Sequence, residues 1–379
     1  MPEHRTWAEV SLKVLRENFR VIQQHVGADV AVCAVVKADA YGHGVVECAR
    51  ALESAGAPWL GVTDAAEGLA LRSAGLKARI LLMTGMWRGE EDLIVSHHLT
   101  PTVWEPWHIQ LLEKAARKQS AFLPVHLKLD TGMNRLGASK EAWPHLFDAL
   151  ADCQHLRLEG VSTHFATVLS SQKTAQQLAV FEEGLAALHG KGLWPALIHM
   201  ANSAAIAGRP ETWKTMVRPG IALYGYSLPD YSLPAPGEEQ PADIVPAVRP
   251  VLAWKTRVIA LKEVPAGQAI GYGGTFVAKD RCRIAVLPVG YADGFHRLLS
   301  NRGRVIVRGE YAPVAGRVSM DLTTSDVSHI PGVEVGDEVV LIGDSKGKSI
   351  DAREHARLCD TIPYEILCSL SERVPRMYV

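Results

Sequence analysis

The sequence predicts an α/β fold, a (β/α)8 barrel of the TIM type followed by a mostly β C-terminal domain. Three observations predict it. Eight β-type runs alternate with helix-like segments over the first two-thirds of the 379-residue chain. Residues 227–250 then turn proline-rich and lose apolar periodicity. Beyond them only short β-like runs follow, punctuated by turn residues. Alternating strand and helix implies parallel strands joined by crossovers. Eight such units in roughly 200–250 residues is the size of a closed barrel.

The eight expected strands lie near 29–37, 59–63, 79–84, 100–104, 122–130, 158–165, 196–201 and 215–220. Between them stand segments such as AAEGLALRSAG and EPWHIQLLEKAARK. In the second, Ile109, Leu111, Leu112 and Ala115 recur at helical spacing. The stretch SLPDYSLPAPGEEQPADIVPAVRP reads as a linker or extended surface segment. VLAWKTRVIAL, RCRIAVLPVG, RVIVRG and EVVLIG, separated by turns such as PAG, DG and GD, then make a β domain. The division falls at 1–240 and 241–379.

Composition narrows the function classes. The net charge is -1 and 47% of residues are hydrophobic, as in a soluble globular protein. Neither nucleic acid nor an anionic membrane is an expected partner. No apolar run reaches spanning length. The start, MPEHRTWAEV, carries no signal pattern, so a cytoplasmic location is expected. Six scattered cysteines form no C-x-x-C pair, and no H-E-x-x-H occurs. Reduced thiols and no metal are expected.

In such a barrel the chemistry sits at the C-terminal ends of the strands. Those ends carry Lys37, Lys128 with Asp130, His164, the pair Asn202 and Ser203, and Arg218. Each has a bland alternative. Lys37 and Lys128 fit solvated strand ends, and His164 fits a bonded core histidine. Asn202 and Ser203 fit a helix cap, and Arg218 fits a turn before Pro219 and Gly220. Their joint occurrence at equivalent ends is harder to dismiss. Ser203 offers a hydroxyl at the seventh strand, and Gly220 allows close backbone approach to an anion at the eighth. First and last strands are neighbours in a closed barrel. An amine beside a phosphate cradle suggests a phosphorylated aldehyde held as an imine, namely pyridoxal 5'-phosphate.

At these residues the chain resembles the bacterial alanine racemases of the pyridoxal-phosphate barrel type. The carrying motifs are AVVKADAYGHG (34–44), LKLDTGMNRLG (127–137), THFA (163–166), HMANSAA (199–205) and MVRPGIALYG (216–225). They continue with GYGGT (271–275), PVGYADGF (288–295), RVSMD (317–321) and TIPYE (361–365), in the family's order through nearly the whole chain. The resemblance implies an isomerase that interconverts L- and D-alanine for peptidoglycan. Lys37 would hold the cofactor and act as one catalytic base, with Tyr272 as the second. Tyr41, Ser203, Gly220, Ile221 and Tyr364 would contact the phosphate. Arg218 would face the pyridine nitrogen, with His164 in its hydrogen-bond network. Arg135 would reach the cofactor's phenolic oxygen and the substrate carboxylate, and a carbamylated Lys128 would orient it. The backbone of Met320 would help hold the carboxylate. Tyr272 and Met320 would act in trans in a homodimer, and the strand near TWAEV would join the second domain.

The chain departs from common family forms at Ser319, where many members have cysteine, and at Gly271, where serine often precedes the tyrosine. After THFA it reads TVLSS, without an acidic residue that many members carry. These positions bear on substrate access and breadth. The rival readings are a racemase for serine or several small amino acids, a barrel-type decarboxylase, and a non-catalytic cofactor-carrying barrel protein.

Overall fold

Continuous apolar runs bury on both faces, and here they do so by closing a sheet on itself. The computed structural model describes residues 4–227 and 246–379. The first strand, β1 (Thr6–Val10), lies outside the barrel. The barrel is built from β2 (Ala31–Val35), β3 (Trp59–Val62), β4 (Arg79–Leu82), β5 (Leu99–Val103), β6 (Leu123–Lys128), β7 (Leu156–Ser162), β8 (Leu197–Asn202) and β9 (Met216–Arg218). Each pairs in parallel with the next, and β9 pairs back to β2. All eight expected strands are present, with ends displaced by up to three residues. Lys37 stands two residues past the end of β2.

The crossover helices sit where apolar periodicity puts them, at Ala65–Ser73 and Pro106–Lys118 among others. The first is capped by Asp64, whose side chain accepts from the Glu67 N–H at 3.1 Å. The second starts on a proline, which needs no donor there. Inside the barrel Cys33, Trp59, Leu81 and Met216 form one apolar cluster.

The second domain has β10 (Leu252–Arg257), β11 (Ala260–Val264), β12 (Ala269–Ile270), β13 (Phe276–Val277), β14 (Cys282–Leu287), β15 (Arg304–Val307), β16 (Glu310–Pro313), β17 (Thr323–Asp326), β18 (Glu338–Ser345), β19 (Lys348–Ile350) and β20 (Arg376–Tyr378). The main sheet runs β16-β15-β18-β10-β1-β20, with β19 on β18. TWAEV therefore lies between β10 and the C-terminal β20, antiparallel to one and parallel to the other. A second sheet orders β11-β14-β17. The strand β17 reads TTSD, polar enough to escape apolar patterning.

Most of the expected linker, 228–245, and with it the division at 240/241, lies outside the described residues. Where the chain resumes, buried Asn18 anchors it. Its amide donates to the carbonyls of Leu223 (2.9 Å) and Arg249 (2.8 Å), and its oxygen accepts from the Arg249 N–H. The helix Pro363–Cys368 of the second domain packs on the turn after β2. That contact brings Tyr364 to the barrel mouth.

Candidate active site

The turn after β2 is the least ordinary backbone in the molecule. Ala38, Asp39, Ala40 and Tyr41 all lie in the left-handed region, with φ between 52 and 54°. The Ala40 N–H still reaches the Val36 carbonyl at 2.9 Å, so this is one left-handed helical turn. Such a turn costs ~1–2 kcal/mol per residue, on the order of 4–8 kcal/mol in all. The surroundings hold it. Glu67 accepts from the Ala38 N–H at 2.7 Å, and Asp39 accepts from the Val45 N–H at 2.7 Å. The Arg376 Nε donates to the Gly42 carbonyl at 2.9 Å. The turn places Lys37 and Tyr41 together at the mouth.

That mouth opens into a cavity of about 450 Å³. Lys37, Tyr41, Lys128, Arg135, His164, Ser203, Arg218, Gly220, Ile221 and Tyr364 all line it, with His199, Asn202 and Thr163. Four of these side chains are basic, and none is a carboxylate. The site is built for anions.

Crowded cations and partial burial weaken the ammonium form. Burial first, then Arg135, pulls the Lys37 amine below the ordinary lysine range. Lys128 falls to about 8, through burial and then Arg218, Arg135 and Lys37. His164 is driven to about 3 by burial and the same cations, so it is neutral. Arg218, buried, falls to about 10 and stays a cation at neutral pH.

Loops fix the remaining groups. Asp130 Oδ1 accepts from the N–H groups of Gly132, Met133 and Asn134 at 2.9–3.1 Å, folding the loop that carries Arg135. The hydroxyls of Thr131 and Thr163 bond at 2.8 Å, tying the loops after β6 and β7. Asn202 caps the helix Ser203–Gly208 through the Ala205 N–H at 3.0 Å. Ser203 Oγ accepts from the N–H groups of Gly220 (2.9 Å) and Ala222 (3.2 Å). A Cβ on Gly220 would strike the Tyr41 hydroxyl. Glycine there lets Tyr41 close over this cradle. The cradle, the half-buried amine and the surplus of basic groups fit a phosphorylated aldehyde.

Sequence reasoning missed one residue of the site. Arg218 Nη1 donates to His199 Nδ1 at 2.6 Å, and Nη2 donates to the Thr163 carbonyl at 2.8 Å. Among the described residues no hydrogen bond joins the His164 ring to Arg218. The imidazole bonded to Arg218 is that of His199. His164 lines the cavity instead. The signal was present: inward-facing polar residues two apart on one strand, His126 and Lys128, and His199 on the strand beside it.

Tyr272 and Met320 do not line this cavity. They sit on second-domain loops, 73% and 52% exposed. Gly271 has φ +72°, a conformation that suits glycine better than serine. Ser319 donates to the Leu322 carbonyl at 2.8 Å and accepts from its N–H at 3.1 Å, closing the turn beside Met320.

Comparison with known proteins decides the family. Residues 10–228 match the alanine racemase N-terminal domain, and 251–378 match its C-terminal domain. The chain belongs to the alanine racemase family. Alanine racemase from Symbiobacterium thermophilum is 44% identical over 98% of this chain and 97% of its own. That from Syntrophobacter fumaroxidans is 43% identical over 96% of this chain and 95% of its own. Among solved structures, alanine racemase from D-cycloserine-producing Streptomyces lavendulae superposes with TM-score 0.91 at 34% identity, covering 100% and 98%. Alanine racemase from Bacillus anthracis with bound L-Ala-P gives 0.89 at 34%, covering 100% and 96%. As a member of the alanine racemase family the chain is an isomerase of alanine, and the family is generally pyridoxal-phosphate dependent.

Proposed function

We propose that this chain racemizes alanine by two-base proton transfer at the barrel mouth, supplying D-alanine for peptidoglycan. The observation that carries the reading is the Lys37 amine, its pKa lowered, in a cavity lined by three other basic side chains and no carboxylate. When bound, pyridoxal phosphate supplies an electron sink that acidifies the α-proton of the substrate. Ser203, Gly220, Ile221, Tyr41 and Tyr364 would hold its phosphate. Arg218 would meet its pyridine nitrogen, and Lys37 its aldehyde carbon.

The chain's own groups do the rest. Lys37, whose proton is held less tightly than an ordinary lysine's, takes or returns one at the α-carbon on one face. Tyr272 serves the opposite face, so that the configuration inverts without the substrate turning over. Arg135 receives the substrate carboxylate, and the backbone of Met320 assists. Tyr272 and Met320 are exposed in the single chain, which supports their delivery by a second copy in a homodimer. Lys128 fits carbamylation: its nitrogen bonds to the carbon of carbon dioxide and loses a proton. The resulting anion would stand among Arg135, Arg218 and Lys37 and orient Arg135.

The test is turnover of each L-amino acid, read by chiral chromatography, with Lys37→Ala and Tyr272→Phe beside the wild type. Preference for alanine and loss in both variants are expected. Preference for serine, release of carbon dioxide, or full activity in either variant would overturn the reading.

A further inference from the structure

Arg218 is a buried cation with no carboxylate within ion-pair distance among the described residues. Buried charge of that kind needs compensation from somewhere. Its bonds lead down the inside of the barrel. Arg218 Nη1 donates to His199 Nδ1 at 2.6 Å, and His199 Nε2 stands 2.8 Å from His126 Nδ1. His126 Nε2 lies 3.6 Å from Glu159 Oε2. Glu159 is gripped by both terminal nitrogens of Arg79, each at 2.5 Å, and Arg79 stacks 4.1 Å over Trp59. The line thus runs from the barrel mouth to Arg79, the first residue of β4.

Donor and acceptor roles along it are forced. An arginine only donates, so His199 Nδ1 accepts. The single proton of neutral His199 is then on Nε2 and goes to His126 Nδ1. The proton of His126 is then on Nε2, which makes no hydrogen bond and faces the Glu159 carboxylate 3.6 Å away. The arginine end sets this arrangement through hydrogen bonds, and the carboxylate end favours the same one by its charge.

Two features of β6 and β7 build this line. The pairing passes from Val125 opposite Leu158 to His126 opposite Gly160, so Glu159 is an extra residue in a bulge. Bulges re-aim side chains and are rare between parallel strands. Gly160 then leaves room for the ring, since a Cβ there would lie 2.6 Å from His126 Nδ1.

We propose that Glu159 is a positioning residue for Arg218, acting through His126 and His199 to fix a single proton arrangement behind the cofactor site. The inference rests on the reading that Arg218 serves a pyridine nitrogen. With the arrangement fixed, Arg218 is held through its two terminal nitrogens, and among the described residues its Nε has no hydrogen-bond partner. Without it, His126 loses the acceptor that faces its Nε2 proton, and the His199 donor alone opposes the tautomer with the proton on Nδ1.

The experiment uses the holoenzyme labelled with ¹⁵N-histidine. Wild type should show His199 and His126 both neutral with the proton on Nε2. Glu159→Leu should scramble that pattern. It should also lower kcat about five- to tenfold, with KM for alanine within about twofold. Glu159→Gln, which keeps an acceptor oxygen, should restore both. A proton on Nδ1 of either histidine in wild type overturns the proposal, and that measurement needs no substitution. A folded Glu159→Leu with wild-type histidine signals and kcat overturns it too, as does a Glu159→Gln no better than Glu159→Leu. Failure of the wild type to show a cofactor absorption band would sink the function reading instead, with the histidine signals still judging the relay.

Discussion

Replacing Gly220 with alanine tests the phosphate cradle by one methyl group. Gly220 has φ -111°, so the backbone tolerates alanine and the effect is one of contact alone. The new Cβ would lie 3.1 Å from Tyr41 Cζ and closer still to its hydroxyl, where ordinary contact begins near 3.4 Å. The hydroxyl would have to retreat by about an ångström. Its ring is confined, with Tyr41 buried and the rings of Tyr224 and Tyr364 at 4.9 Å and 5.8 Å, and its open side is the cavity where the phosphate would sit. Overpacking of this kind costs ~1–3 kcal/mol. If the strain falls on the cofactor-bound form, the dissociation constant for pyridoxal phosphate rises about 5- to 150-fold. Equilibrium titration of the apoprotein, followed by quenching of its tryptophan fluorescence, reads that constant. Tyr41→Phe removes the clashing oxygen, so Gly220→Ala should cost far less in that background. A coupling energy of ~1 kcal/mol or more is expected between the two positions. An unchanged dissociation constant in Gly220→Ala, or a penalty equal in both backgrounds, would refute the placement of the phosphate.

Mixing inactive Lys37→Ala chains with inactive Tyr272→Phe chains should restore activity to roughly one quarter of wild type. Half the dimers are then hybrid and each has one intact site; no recovery on refolding the mixture would exclude shared sites. Arg218→Glu should raise the number of transamination events per turnover, measured as pyruvate released, because a carboxyl partner makes the ring a stronger electron sink; an unchanged ratio rejects this. With its pKa near 8, about one Lys128 in ten is neutral at pH 7, against roughly one in a few thousand ordinary lysines. Activity lost on degassed dialysis at low pH should return with bicarbonate, and Lys128→Ala should show no such response. Burial holds His43 and His355 down at about 4, so between pH 6.5 and 4 the unfolded chain binds more protons than the folded one. Stability, full above pH 6.5, should fall as the pH drops through that window by ~1.4 kcal/mol per unit per histidine, visible as a falling Tm.

The barrel was legible because parallel strands buried on both faces read as apolar runs, as AVCAV and WLGV do. Most of the site was legible for a related reason. Strand ends are where polar residues interrupt such runs, and Lys37, Lys128, Ser203 and Arg218 do interrupt them. The cavity brings those four together. Strands such as β17 and the two-residue β12 and β13 were not legible, since pairing with neighbours, and not local pattern, makes them strands.

Residue order alone thus determined the alternation of elements, the family and the list of groups at the barrel mouth. Only the folded chain decided which imidazole meets Arg218, because His199 and Arg218 approach through the register of β8 against β9. Only the folded chain showed a left-handed turn after β2, which no residue of ADAY prefers and which contacts from Glu67 and Arg376 sustain. And only the folded chain gave the exposure of Tyr272 and Met320, already expected to act in trans, since distances between loops of two domains are set by packing and leave no mark in local sequence.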